Sequence, residues 1–216
     1  PKETDGQNKE VLAFRDVSFR FADAEEDTLS HLNFTCRRGE TTAIIGGIGS
    51  GKSTVASLIL RFHDVSSGSI CLNGTDIRQM TQRYLRDHLA YVQQKAWLFS
   101  GTIASNLRYG NENADESDMM HAADVAQAGD FIRTLPDGLN SYVAQGGTNF
   151  SGGQKQRLSI ARALVKKPEL YIFDDSFSAL DFKTDAALRK ALADETKDAA
   201  VLIIAQRVST IQHAHQ

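Results

Sequence analysis

Residues 41–54 read TTAIIGGIGSGKST, a short apolar run that gives way to a glycine-rich loop, a lysine and two hydroxyl residues. The loop satisfies G-x-x-x-x-G-K-S/T with Gly46, Gly51, Lys52 and Ser53 in register. Glycines let the backbone turn tightly and aim successive N–H groups inward, so such a loop makes an anion nest at a helix N-terminus. Lys52 then supplies a point charge to β- and γ-phosphates, and the Ser53 hydroxyl is placed to ligate Mg²⁺. A glycine-rich turn with a chance lysine could carry the same letters. The strand-like run before it and the helical stretch STVASLILRF at 53–62 after it favour the phosphate cradle.

Working outward, strand-like runs recur at 11–21 (VLAFRDVSFRF), 69–73 (SICLN), 170–173 (LYIF) and 201–205 (VLIIA). The last two are continuous apolar runs beside helical stretches, the pattern of parallel strands covered on both faces. Between about Thr81 and Lys167 this rhythm is lost and the chain reads mostly helical, as in MMHAADVAQAG at 119–129. The pattern predicts an α/β core with an inserted helical subdomain. Residues 1–10, PKETDGQNKE, have the composition of a polar flank or linker, which leaves 11–216 as one domain.

Composition narrows the partners. The chain has 216 residues, 41% hydrophobic and 24% charged, within the range of one globular domain. A net charge of -3 without a basic block argues against a nucleic-acid surface. Cys36 and Cys71 have neither metal-ligand spacing nor the density of a disulfide scaffold, and read as buried thiols in a reducing compartment. The apolar runs are far shorter than the roughly 20 residues that cross a bilayer.

A phosphate loop of this kind needs an acid at the C-terminal end of a neighbouring parallel strand to hold the metal. Asp174, in YIFDDSFSALD at 171–181, closes such a strand; standing alone it would read as a turn cap. A further element is NFSGGQKQRLSIARAL at 149–164, where Ser151 and Gln154 have capping-box spacing ahead of apolar positions Leu158, Ala161 and Leu164. A serine hydroxyl and two glycine N–H groups at a helix start make a second anion site.

With these parts in hand, nearly the whole chain resembles the nucleotide-binding domain of an ABC transporter. GGIGSGKST resembles that family's Walker A, LYIFDD at 170–175 its Walker B, FSGGQ at 150–154 its signature (usually LSGGQ) and SALD at 178–181 its D-loop. The resemblance implies ATP and Mg²⁺ as ligands, with Gly46, Gly47, Gly49, Ser50, Gly51, Lys52, Ser53 and Thr54 around the phosphates. It implies Ser53, Asp174 and Gln94 around the metal. Gln94 stands in YVQQKAWLFSGTI at 91–103 as the family's Q-loop residue, with Gln93 as a surface neighbour. Phe21, 31 residues before Lys52, matches the aromatic that stacks on adenine; its plainer reading is a strand core residue.

In the family two such domains pair head to tail, so Ser151, Gly152, Gly153, Gln154 and Asp181 of each close over the nucleotide held by the other. LFSGTIASNL at 98–107 and YVAQGGTNFSGGQ at 142–154 resemble exporters, which implies transmembrane helices ahead of Pro1 in one polypeptide and a place at the cytoplasmic face of a membrane. The implied fold is a P-loop NTPase core with a mainly parallel sheet, an N-terminal antiparallel β region and the helical insert. The family carries a further strand or hairpin beyond RVSTIQHAHQ, so a domain clipped at Gln216 is expected.

Beyond Phe150 in the signature, three residues depart from the family's pattern. After the Walker B aspartate the family usually has Glu, which orients or deprotonates the attacking water; here stands Asp175. Its carboxylate is set back by more than about 1 Å, and a misplacement of that size costs on the order of 100-fold in rate. Gln206 stands where a switch histidine is expected, and it neither titrates nor carries charge near neutral pH. Gln145 replaces a Glu common in exporters. Intact binding parts with altered hydrolytic parts match the degenerate half of a heterodimeric exporter. The alternatives are a homodimer with two equivalent sites and an ABC-type ATPase outside transport; the signature disfavours a nucleoside-type kinase.

Overall fold

The structure, a computed structural model, describes residues 10–45 and 52–205; Lys52 and Ser53 are described only as the first residues of a helix. Gly46, Gly47, Gly49, Ser50, Gly51 and Gln206 lie outside the described residues, as do the flank at 1–9 and the chain end at Gln216.

Along the chain the elements are β1 (Glu10–Phe19), β2 (Leu29–Arg37), β3 (Thr41–Ile45), α1 (Lys52–Ile59), β4 (Ser67–Leu72), β5 (Thr75–Asp76), α2 (Gln82–Asp87), β6 (Leu89–Val92), β7 (Gly101–Thr102) and α3 (Ile103–Leu107). They continue with α4 (Glu116–Val125), α5 (Gly129–Thr134), β8 (Tyr142–Val143), α6 (Gly152–Lys166), β9 (Leu170–Asp174), α7 (Phe182–Glu195) and β10 (Ala200–Ala205). The chain divides into two compact units: one holds the chain up to Leu89, Glu169–Asp174 and the chain from Lys197, and the other Ala90–Pro168 and Asp175–Thr196.

In the first unit, β10 pairs in parallel with β3 on one side and β9 on the other, with Ile204 opposite both Ile44 and Asp174. Leu170–Phe173 and Ala200–Ala205 are buried throughout, as continuous apolar runs predict for strands covered on two faces. A second, antiparallel sheet runs β2–β1–β4–β5. There Phe14 pairs with Phe34 and Ile70, and the two phenyl rings stack at 4.4 Å. Both sheets and the helices agree with the α/β architecture expected from sequence.

The second unit is mainly helical. Met119, Ala122 and Ala123 of α4 are buried with Leu158, Ala161 and Leu164 of α6 and Leu188 and Leu192 of α7. The alanines let helix backbones approach closely. α6 ends where Lys167 turns left-handed (φ 51) just before Pro168, the stop that KKP announces. The sequence reading missed a two-stranded antiparallel ribbon, in which Gly101 faces Val143 and Thr102 faces Tyr142. Among the described residues no helix is long and apolar enough to cross a membrane.

Candidate functional site

The residues singled out from sequence fall into two sets. Phe21, the helix start at Lys52, Ser53 and Thr54, and Asp174 belong to the first unit. Gln94, Ser151–Gln154, Asp175 and Asp181 belong to the second, so the division passes between the two adjacent aspartates.

In the first unit, α1 starts at Lys52, which fits a helix N-terminus opening directly out of the glycine loop. Thr54 is buried on that helix. Asp174 is the last residue of β9, at the C-terminal end of a parallel strand, where open sheets offer carboxylates to ligands. Phe21 lies two residues past the end of β1 with 44% of its surface exposed, so its plainer reading as a strand core residue does not hold. It opens a braced loop: the Ala24 N–H donates to the Phe21 carbonyl (3.0 Å), the Thr28 N–H to the Phe19 carbonyl (2.8 Å) and Arg20 Nε to Asp27 Oδ1 (2.9 Å).

In the second unit, the capping box expected from sequence is formed. Ser151 Oγ accepts from the Gln154 N–H at 3.1 Å, and Gln154 Oε1 accepts from the Ser151 N–H at 3.0 Å. The first N–H groups of an α-helix have no intrahelical acceptor, so Gly152 and Gly153 are left to bind outward. Nothing lies within 4 Å of where a Cβ on Gly152 would sit. Behind this surface a Cβ on Gly153 would stand 3.5 Å from the Ala179 carbonyl oxygen, so the helix start rests on the SALD segment.

Asp181 caps α7: Oδ1 accepts from the Thr184 N–H (2.8 Å) and Oδ2 from the Thr184 hydroxyl (3.0 Å). The Thr184 N–H, then its hydroxyl and the charge of Arg157 hold this carboxyl below the usual carboxylate range. Arg157 in turn donates through Nε to the Gly153 carbonyl (3.1 Å) and through a terminal nitrogen to the Gln127 carbonyl (2.8 Å), over the Phe131 ring at 5.0 Å. It ties the signature helix to the turn between α4 and α5.

Asp175 has a left-handed backbone with φ 48. Asp and Asn adopt that region more readily than other residues with a Cβ. The next residue, Ser176, is fully buried and donates to the Val92 carbonyl; Gln156 of α6, 2% exposed, donates to the Gln93 carbonyl at 3.2 Å. Both bonds end on the two residues before Gln94, whose own side chain is exposed. Arg157, Gln156 and Ser176 escape sequence reasoning. Polar residues on a helix or in a loop read as solvent-facing, and only the fold shows that Gln156 and Ser176 are buried, and Arg157 half-buried, as donors to backbone carbonyls.

The donors assigned to the metal are a hydroxyl, a carboxylate and an amide oxygen. These hard oxygen ligands suit Mg²⁺, which is typically held by one or two carboxylates with substrate phosphates and waters. Among the described residues no cluster of three His, Cys, Asp or Glu side chains could hold a metal by itself.

Comparison with known proteins gives a consistent result. A family model described as ABC transporter matches residues 29–178. An uncharacterized ABC transporter ATP-binding protein of Mycobacterium tuberculosis is 44% identical over 209 residues, covering 95% of this chain and 36% of that protein. The ATP-dependent lipid A-core flippase of Vibrio parahaemolyticus is 44% identical over 206 residues, covering 95% of this chain and 35% of the flippase. The structure of a bacterial Atm1-family ABC exporter with ATP bound superposes with a TM-score of 0.90 at 38% identity, over 96% of this chain and 36% of the exporter chain. The chain thus spans about a third of the length of these relatives.

Proposed function

The chain belongs to the ABC transporter family, and from that premise we propose that it is the ATP-binding domain of an exporter, with a weakly hydrolytic site of its own and a competent signature for a partner's site. The observation that carries this is a contrast within one unit: the helix start at Ser151–Gly153 is capped and open, whereas the acid after the Walker B strand is the shorter Asp175.

In this proposal Lys52 and the glycine loop hold the phosphates of ATP, Ser53, Asp174 and Gln94 hold Mg²⁺, and Phe21 stacks on the base. A Mg²⁺ held by these three residues would supply positive charge against the negative charge of the phosphates. Asp175 orients the attacking water from too far back, and Gln206 offers the γ-phosphate a neutral contact in place of a titratable one. Ser151, Gly152, Gly153, Gln154 and Asp181 face the nucleotide of a second ABC domain, a different subunit in the reading we favour. The full protein adds a transmembrane domain, and this domain works at the cytoplasmic face. The similarity to a lipid A-core flippase and to an Atm1-family exporter supports the exporter assignment. Calorimetric titration with Mg²⁺-ATP tests the foundation: wild type binds and Lys52→Ala does not, and wild-type affinity in the variant would refute the cradle.

A further inference from the structure

Phe21 does not stand alone. Its ring meets that of Phe19 at 4.8 Å and 82°, and that of His63 at 5.5 Å and 85°, while Phe19 and His63 lie 5.5 Å apart. Near-perpendicular contacts fix a ring's orientation without stacking on it. Phe21 keeps nearly half its surface exposed in an open groove lined by Phe19, Arg20, Phe21, Asp23, His63 and Asp64.

The backbone that carries the third ring, which is itself exposed, is braced. His63 follows α1 closely, at a corner made by Arg61 in a left-handed conformation (φ 57) and by the Phe62 N–H donating to the Ser57 carbonyl. Arg61 pins that corner, donating to the Ile77 carbonyl (3.2 Å), the Met80 carbonyl (2.9 Å) and Asp64 Oδ1 (3.3 Å). Across the groove the Arg20 N–H donates to Ser66 Oγ (2.9 Å), which ties the Phe21 loop to the same connection. A lone half-exposed phenyl ring would sample several rotamers, and fixing it on binding would cost entropy.

We propose that His63 is a positioning residue for nucleobase recognition: with Phe19 it holds the Phe21 ring upright in this groove, ready to take a planar base on its open surface. The proposal rests on reading Gly46–Thr54 as the phosphate cradle, and it adds that base recognition depends on the segment following α1 as well as on Phe21.

The test separates base from phosphate. Binding of Mg²⁺-ATP and of Mg²⁺-tripolyphosphate, which has phosphates and no base, is measured on the full-length protein carrying His63→Ala, His63→Phe or Phe21→Ala. His63→Ala weakens ATP roughly three- to tenfold, the worth of an aromatic pair, and leaves tripolyphosphate unchanged. His63→Phe restores ATP binding, and His63→Ala adds nothing to Phe21→Ala. Unchanged ATP affinity in His63→Ala, equal losses for both ligands, or no rescue by His63→Phe overturns it. Loss of the cradle itself would show separately, as tripolyphosphate binding insensitive to Lys52→Ala.

Discussion

The Ser176 hydroxyl, wholly buried beside Asp175, donates to the carbonyl oxygen of Val92 at 2.6 Å across 84 positions of sequence. With the bond from Gln156 to the Gln93 carbonyl, it holds the main chain just ahead of Gln94 from two sides. One bond comes from the residue after the short acid, the other from the signature helix. Ser176→Ala leaves a buried carbonyl short of a donor, at a cost of about 1–3 kcal/mol. Denaturant unfolding should show that loss as a lower midpoint at unchanged slope; an unmoved midpoint would mean that the bond contributes nothing.

Ser151 has a structural role and a proposed functional one, and two substitutions separate them. Ser151→Ala removes the cap, worth about 1 kcal/mol. Ser151→Asp keeps a capping oxygen and places a negative charge where the helix end favours it. Thermal melts should therefore find Ser151→Asp as stable as wild type. In the assembled transporter it should still abolish ATPase activity, because a carboxylate then faces the partner's γ-phosphate. Full activity in Ser151→Asp would refute the anion-binding role.

Asp181 predicts a pH dependence with a definite sign. Its folded carboxyl lies below the usual range, so its contribution to α7 is complete above the unfolded value of about 3.9 and is lost as pH falls through the lower folded value. Stability followed from pH 5 downward should fall less steeply in Asp181→Asn, which keeps a cap without a titrating group. Superimposable pH profiles would count against the cap.

Much of this is legible in the sequence because it is local. The Ser151–Gln154 box, the KKP stop and the apolar runs of β9 and β10 each declare themselves within a few residues. β2 does not, since register shifts against β1 and a left-handed His31 break its alternation, and its burial follows no period of two. Nor do the buried donors Ser176 and Gln156 and the half-buried Arg157, which reach the carbonyls of Val92, Gln93 and Gln127 far away in sequence. The left-handed backbone at Asp175 is equally silent there, although it bears on the residue's identity: Glu at φ 48 carries a strain of about 1 kcal/mol that Asp largely avoids.

The most direct measurement is single-turnover hydrolysis of ATP held by Lys52, in the full-length protein assembled with its partner domain after the partner's own catalytic acid has been disabled. Wild type should turn over slowly. Asp175→Glu with Gln206→His should raise the rate by at least about tenfold, a partial recovery of the roughly 10² to 10⁴ that general-base help typically supplies, and by more than the two single changes combined. A thermal melt of the double variant separates the strain at position 175 from any failure to gain rate. Wild-type hydrolysis at this site as fast as at the partner's intact site would contradict the claim that Asp175 is the wrong acid.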